Sequence, residues 1–183
     1  MFNALILTYS DFQDQEVVYP YYRLLGANFT VTLVSDQRDE KGRTHGILGV
    51  HMPCQLTYSD FKKNLEGYLD EFDLLILPGG VKALEKLRQD QDVIKFIFNW
   101  NAKNKIIAST CHGAQLLISA KVTNGKRVGG YYSIKDDINN SGGTYSSSPV
   151  TIDANLITSP HYDHMGPWME AALGAVEKKE SKK

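Results

Sequence analysis

The sequence predicts an α/β protein in which a parallel sheet is sandwiched between helices. Three observations carry that expectation. Short runs that are apolar throughout recur along the chain, as strands buried on both faces do. Helix-length segments separate them, which parallel pairing requires. The 183 residues, 42% hydrophobic and 22% charged, suit one globular domain with a sizeable core.

The elements follow in chain order. Ala4-Leu5-Ile6-Leu7 reads as a buried strand. Gln15 to Leu25 reads as a helix, with Pro20 as an irregularity inside it. Phe29 to Val34 is a second strand, rich in β-branched residues. Gly46 to Leu56 alternates well enough for a hairpin-like excursion, and Tyr58 to Leu69 reads as a short helix. Phe72 to Leu77 is a strand cut off by Pro78-Gly79-Gly80. A helical stretch from Ala83 to Lys103 is broken near Asp90. Lys105 to Ser109 is the next strand, and Gly113 to Ala120 is a helix directly after it. In the last third, Ile134 to Asn140 looks helical, Val150-Thr151-Ile152 and Leu156-Ile157-Thr158 look like strands, and Trp168 to Glu177 closes the chain as a helix. The alternation is that of a flavodoxin-like parallel sheet. Residues 1–178 are expected to form one domain and 179–183 a solvated, frayed basic tail.

A formal net charge of −1 gives no general attraction to nucleic acid or to an anionic membrane. No apolar run reaches the ~18 residues of a membrane span, and no signal-peptide pattern precedes Phe2. Cys54 and Cys111 lie in unlike contexts. Reduced thiols and a cytoplasmic location are therefore expected, with Cys54 packed as a small core hydrophobe.

The segment Ile106 to Leu117 is the most informative. A buried strand runs straight into a helix, and Cys111 stands at the junction. That is the logic of a nucleophile elbow, in which a tight turn raises one side chain above the carboxyl edge of the sheet. Gly113 is small enough to let helix and strand approach closely. Unpaired N–H groups at the helix start favour thiolate over thiol, so a lowered Cys111 pKa is expected. Leu74-Leu75-Ile76-Leu77-Pro78-Gly79-Gly80 ends at the same edge, where successive N–H groups, with that of His112, could hold an oxyanion.

At these motifs the sequence resembles the ThiJ/PfpI superfamily, cysteine-dependent α/β proteins related to class I glutamine amidotransferases. It is most similar to the PfpI-type intracellular proteases, over about residues 3 to 178. The resemblance rests on Glu16-Val17-Val18-Tyr19-Pro20-Tyr21-Tyr22-Arg23, Leu77-Pro78-Gly79-Gly80 and Cys111-His112-Gly113-Ala114-Gln115. Tyr131, Ile134-Lys135-Asp136-Asp137, Asp153, Asn155 to Ser159 and Trp168 complete it. It implies that Cys111 is the nucleophile, that Glu16 is the acid beside its sulfur, and that His112 belongs to the catalytic set. It implies that Glu85 reaches the histidine of a neighbouring subunit, although Val81-Lys82-Ala83-Leu84-Glu85 is one residue longer than the usual spacing and lacks its proline. Pro160 also stands where many relatives carry arginine. Gly79, Gly80, Gly113 and Tyr131 are the expected oxyanion and substrate contacts. The family implies a homo-oligomer, dimer or hexamer, a small-molecule or peptide substrate, and no external cofactor.

Residue chemistry supports Glu16 separately. A carboxylate and a thiolate side by side repel, so the pair should hold one proton between them. His161 and His164 flank Asp163 in a pattern that invites a metal, but a surface loop is the simpler reading and no metal is expected. Two functions share the activated cysteine. One is an enzyme attacking a carbonyl carbon, as peptidase or amidase, or as glyoxalase III or deglycase. The other is a redox-sensing or stress-protective protein using an oxidisable thiol without efficient turnover. A pure binding module would leave the Cys-His pair unexplained.

Overall fold

The computed structural model describes residues 1–181. A central sheet runs in the order β10-β11-β7-β6-β1-β2-β5. Its inner strands are β1 (Asn3–Leu7), β2 (Thr30–Ser35), β6 (Leu74–Leu77), β7 (Ile106–Thr110) and β11 (Leu156–Ser159). All five pair in parallel with their inner-strand neighbours. β6 and β7 are buried at every position, and β1 at all but Asn3, which explains the apolar runs Ala4 to Leu7, Leu74 to Leu77 and Ile106 to Ala108. β5 (Leu56–Thr57) adds a short parallel edge, and β10 (Thr151–Asp153) closes the other edge as the antiparallel partner of β11.

The chain moves outward from β1 to β2 in one direction and returns through β6 in the other. The order therefore reverses beside β1, and a crevice opens at the carboxyl ends of β1 and β6. Ligands of open α/β sheets bind at such a switch point.

α1 (Asp14–Gly26) continues through Pro20, which removes one helical N–H without ending the helix. The β3 (Arg43–His45) and β4 (His51–Pro53) hairpin starts earlier than the sequence suggested, and Gly46 to Val50 form its turn. Buried Asp14 pins that turn by accepting the N–H groups of Leu48 at 2.8 Å and Val50 at 2.9 Å.

The expected helix from Tyr58 is three pieces: α2 (Tyr58–Phe61), a 3-10 turn at Lys62–Asn64 and α3 (Leu65–Glu71). The break near Asp90 is real. α4 (Val81–Leu87) and α5 (Gln91–Ala102) meet there, and the Asp90 carboxylate caps α5 by accepting from Asp92 and Val93 N–H. α6 (Ala114–Ser119) follows the elbow.

α7 (Lys135–Asn140) lies between two strands absent from the sequence reading, β8 (Arg127–Gly129) and β9 (Thr144–Ser146), which form a separate parallel pair. α8 (Met165–Glu180) starts three residues earlier than expected and extends into the segment expected to fray. Lys182 and Lys183 lie outside the described residues. Among the described residues no helix is long and apolar enough to cross a membrane.

Candidate active site

Three loops meet at the crevice, one from each of β1, β6 and β7. Ile107 to Thr110 run buried into the turn, and Cys111 then takes φ 55°. That left-handed conformation costs a non-glycine residue roughly 1–3 kcal/mol, and here it aims the side chain off the sheet edge. A 3-10 turn at Cys111–Gly113 leads into α6. A Cβ on Gly113 would lie 2.1 Å from the Leu77 carbonyl oxygen, so helix and strand approach at a distance that excludes any side chain.

Glu16 enters from the first turn of α1 and is fully buried. Its Oε2 accepts the Gly79 N–H at 2.6 Å. Oε1 is buried with no oxygen or nitrogen partner, and the carboxyl interacts with the Cys111 thiol. Gly79 is the point where the two meet. A Cβ there would lie 2.5 Å from Glu16 Oε2 and 2.8 Å from Cys111 Cβ. The cradle thus depends on the absence of a side chain at Gly79. Gly80 has φ 106°, and a Cβ on it would strike the Phe12 and Gln13 backbone.

Burial pushes the Glu16 carboxyl up to about 7, against the Gly79 N–H and the thiol, which pull it down. Cys111 is 6% exposed. Burial and then the Glu16 charge push its thiol up, while the N–H groups of His112 and Gly80 favour the thiolate. This corrects the expectation of a low thiol pKa. The N–H groups point at the sulfur as expected, but burial and a neighbouring carboxylate outweigh them. The thiolate is favoured only while Glu16 holds the proton.

His112 Nδ1 lies 3.4 Å from Cys111 Sγ, and burial lowers the His112 pKa. Its ring stacks on Tyr131 at 4.8 Å, and the Tyr131 N–H donates to the Cys111 carbonyl at 3.1 Å. Glu85 is not brought to this site. It faces solvent on α4, where Ala83, Leu84 and Leu87 form the buried side. Among the described residues no carboxylate hydrogen-bonds the His112 ring.

A cleft of about 420 Å³ opens over Cys111. Gln13, Ser133, His161 and Tyr162 line it beside the expected Gly80, His112 and Tyr131. The sequence reading named none of the first four as a substrate contact. A signal for His161 existed: β11 pairs in parallel with β7 so that Ser159 lies opposite Thr110, and the loop after β11 must emerge beside the elbow. Among the described residues no group of three histidine, cysteine or acidic side chains forms a metal-ligand cluster. His161 instead stacks on Tyr132 and packs at a tilt against Tyr162. Cys54 is a core residue, donating its S–H to the Leu56 carbonyl at 3.2 Å.

Fold and site together define an α/β protein with a thiol raised beside a buried acid at the carboxyl edge of a mostly parallel sheet. A model of the DJ-1/PfpI family matches residues 3–175, and the chain belongs to that family. It is 34% identical over 167 residues to the deglycase PfpI of Pyrococcus furiosus, covering 91% of this chain and 95% of that one. It is 30% identical over 176 residues to general stress protein 18 of Bacillus subtilis, covering 96% and 97%. Among solved structures, Schizosaccharomyces pombe DJ-1 superposes with a TM-score of 0.81 at 19% identity over 97% of each chain. A two-domain Anabaena variabilis protein with DJ-1/ThiJ/PfpI-like and ferritin-like domains gives a TM-score of 0.86 at 27% identity. The match covers 97% of this chain and 48% of that one.

Proposed function

We propose that this chain is a cysteine-dependent deglycase of the DJ-1/PfpI type, with Cys111 as nucleophile and Glu16 as proton carrier. One observation carries the reading: a carboxyl and a thiol lie buried together at Gly79, where burial pushes the carboxyl up to about 7. An acid poised near neutral pH can both take and return a proton. The names of several relatives, deglycases among them, support adduct removal.

The chemistry balances without an added cofactor. The adduct of an α-oxoaldehyde with an amine, plus water, gives the free amine and a 2-hydroxy acid. Cys111 gives its proton to Glu16, the sulfur bonds to the aldehyde-derived carbon as the C–N bond breaks, and the amine leaves with the proton that Glu16 received. The Glu16 carboxylate then carries the hydrogen of that carbon to the neighbouring carbonyl carbon while the hydroxyl proton passes to the carbonyl oxygen, leaving a 2-hydroxy thioester that water cleaves to the acid and the free thiol. The Gly80 and His112 N–H groups steady first the thiolate and then the developing oxygen charge. Peptide hydrolysis is less favoured, because it relies on an imidazole base and among the described residues no carboxylate hydrogen-bonds the His112 ring.

The test is turnover of a methylglyoxal–amine adduct alongside a fluorogenic peptide, with wild type, Cys111→Ala and Glu16→Gln. Glu16→Gln is expected to lower adduct turnover by ~10²–10⁴-fold, the usual scale of acid–base help. Equal activity of wild type and Glu16→Gln on a substrate that Cys111→Ala leaves untouched would pass the role to His112 and overturn the reading.

A further inference from the structure

Lys105 stands just before β7, at the amino edge of the sheet, and Cys111 stands just after it at the carboxyl edge. At about 3.3 Å per residue of strand, the two lie roughly 20 Å apart. A separate cleft of about 290 Å³ opens at the amino edge. Phe2, Leu69, Ile106 and Val176 give it an apolar floor. Among the described residues its charges balance: Lys103, Lys105 and Lys179 face Asp70, Asp73 and Glu180.

The amines of this cleft differ in what holds them. Lys103 pairs with the Asp70 carboxylate, and Lys179 donates to the Asn104 carbonyl. Lys105 is half-buried, donates to the Leu69 carbonyl and stands 4.1 Å from the centroid of the Trp100 ring. A carbonyl and a ring face orient an ammonium, but neither brings the full negative charge that would balance it. Asp73 is turned to the Asn3 N–H, which its Oδ2 accepts at 2.8 Å. Burial lowers the Lys105 pKa to about 8; Lys103 and Lys179 push the same way, and Asp73 and Asp70 oppose them. At pH 7 such an amine is about 10% neutral, against roughly 0.04% for an ordinary lysine. Only the neutral amine is a nucleophile. The apolar floor beside it suits a small organic group, and the balanced rim favours neither an anion nor a cation.

We propose that the amino-edge cleft is a carbonyl-capturing site separate from Cys111, in which Lys105 takes up a small uncharged aldehyde as an imine. The nitrogen bonds to the aldehyde carbon and gives a carbinolamine. Its hydroxyl then leaves as water with the proton from nitrogen, and C=N replaces C=O. Amine and aldehyde give imine and water, so the step consumes no oxidant, reductant or cofactor. It stands whether or not Cys111 turns over any adduct.

The test uses the full chain carrying Cys111→Ala, so that the other nucleophile consumes no aldehyde. Propanal is added at pH 7 with cyanoborohydride, which reduces the imine to a stable secondary amine, and labelled lysines are located by peptide mass. Lys105 is expected to label at least ~10-fold faster than the exposed Lys82 and Lys135. That is the ~200-fold gain in neutral amine less what lower basicity and partial burial remove. In urea the three rates should converge, because the advantage belongs to the folded cleft. With 1-pyrenecarboxaldehyde, too broad for the cleft, the ratio of Lys105 to Lys82 should fall well below its value with propanal. Labelling of Lys105 no faster than of Lys82 and Lys135, an advantage that survives in urea, or an equal ratio with both aldehydes overturns the site.

Discussion

Glu16 is ionisable in a place that disfavours charge. Its carboxyl, raised from 4.5 to about 7, holds its proton more tightly in the folded chain than in the unfolded one. Stability is therefore full below pH ~4.5, falls as pH rises toward ~7, and is level above; the fall is roughly 3 kcal/mol at most. Glu16→Gln removes the charge, so its melting temperature relative to wild type should rise between pH 4.5 and 8. A constant difference over that range would show that Glu16 ionises freely. The same substitution removes the carboxylate that pushes the Cys111 thiol up. Glu16→Gln should thus be alkylated faster than wild type at pH 8 even as turnover collapses, and slower alkylation would mean that the carboxyl assists the thiolate when ionised. Cys111 and its acidic neighbour were legible as residues, because the strand-turn-helix pattern and the resemblance mark them. The balance of their pKa values was not. It depends on how deeply α1 and the elbow bury each other, which neither segment carries alone.

At the scale of elements, two glycines separate stability from chemistry. A methyl on Gly113 would meet the Leu77 backbone oxygen at 2.1 Å and Ser109 Oγ at 2.9 Å. Backbone cannot retreat cheaply, so Gly113→Ala should destabilise by ~1–3 kcal/mol or more and disturb the start of α6. Gly79→Ala places its methyl among the Glu16 carboxyl, Cys111 Cβ and the His112 N–H. A side-chain carboxyl can move, so this variant should melt closer to wild type but lose most of its turnover. Melting curves and adduct turnover on the two variants check the contrast, and an active Gly79→Ala would refute the cradle. Legibility follows the same physics. β1, β6 and the first half of β7 were readable because burial on both faces demands continuous apolar residues, and β2 because its Thr-Val-Thr-Leu-Val run is rich in β-branched residues. β8 and β9 were not, since each has three residues and they pair with each other across α7. The β3–β4 hairpin was misplaced because its turn, Gly46 to Val50, carries apolar side chains that mimic a strand. What holds that turn is Asp14, more than thirty residues away.

For the whole molecule, one expected participant stands away from the site. Glu85 faces solvent, and its backbone oxygen accepts the Gln89 side chain. His112 contacts sulfur and an aromatic ring, and among the described residues no acid hydrogen-bonds its ring. If an acid orients His112, a second copy must bring it. Tyr22 on α1 is 57% exposed and Leu48 on the pinned hairpin turn 70% exposed, apolar surface that a second copy would cover if it docked there. We therefore expect a homo-oligomer, with light scattering at micromolar concentration returning at least twice the mass of the 20.5 kDa chain. In that assembly Glu85 would position the imidazole without carrying the proton. Glu85→Gln should then cost about tenfold in turnover, far less than Glu16→Gln, and shift the acidic limb of the pH–rate profile, because a His112 stripped of its carboxylate is harder to protonate. A monomer whose Glu85→Gln variant matches wild type at every pH would remove Glu85 from the chemistry. Glu16 would then be the sole acid acting on Cys111, as the geometry of a single chain already arranges it.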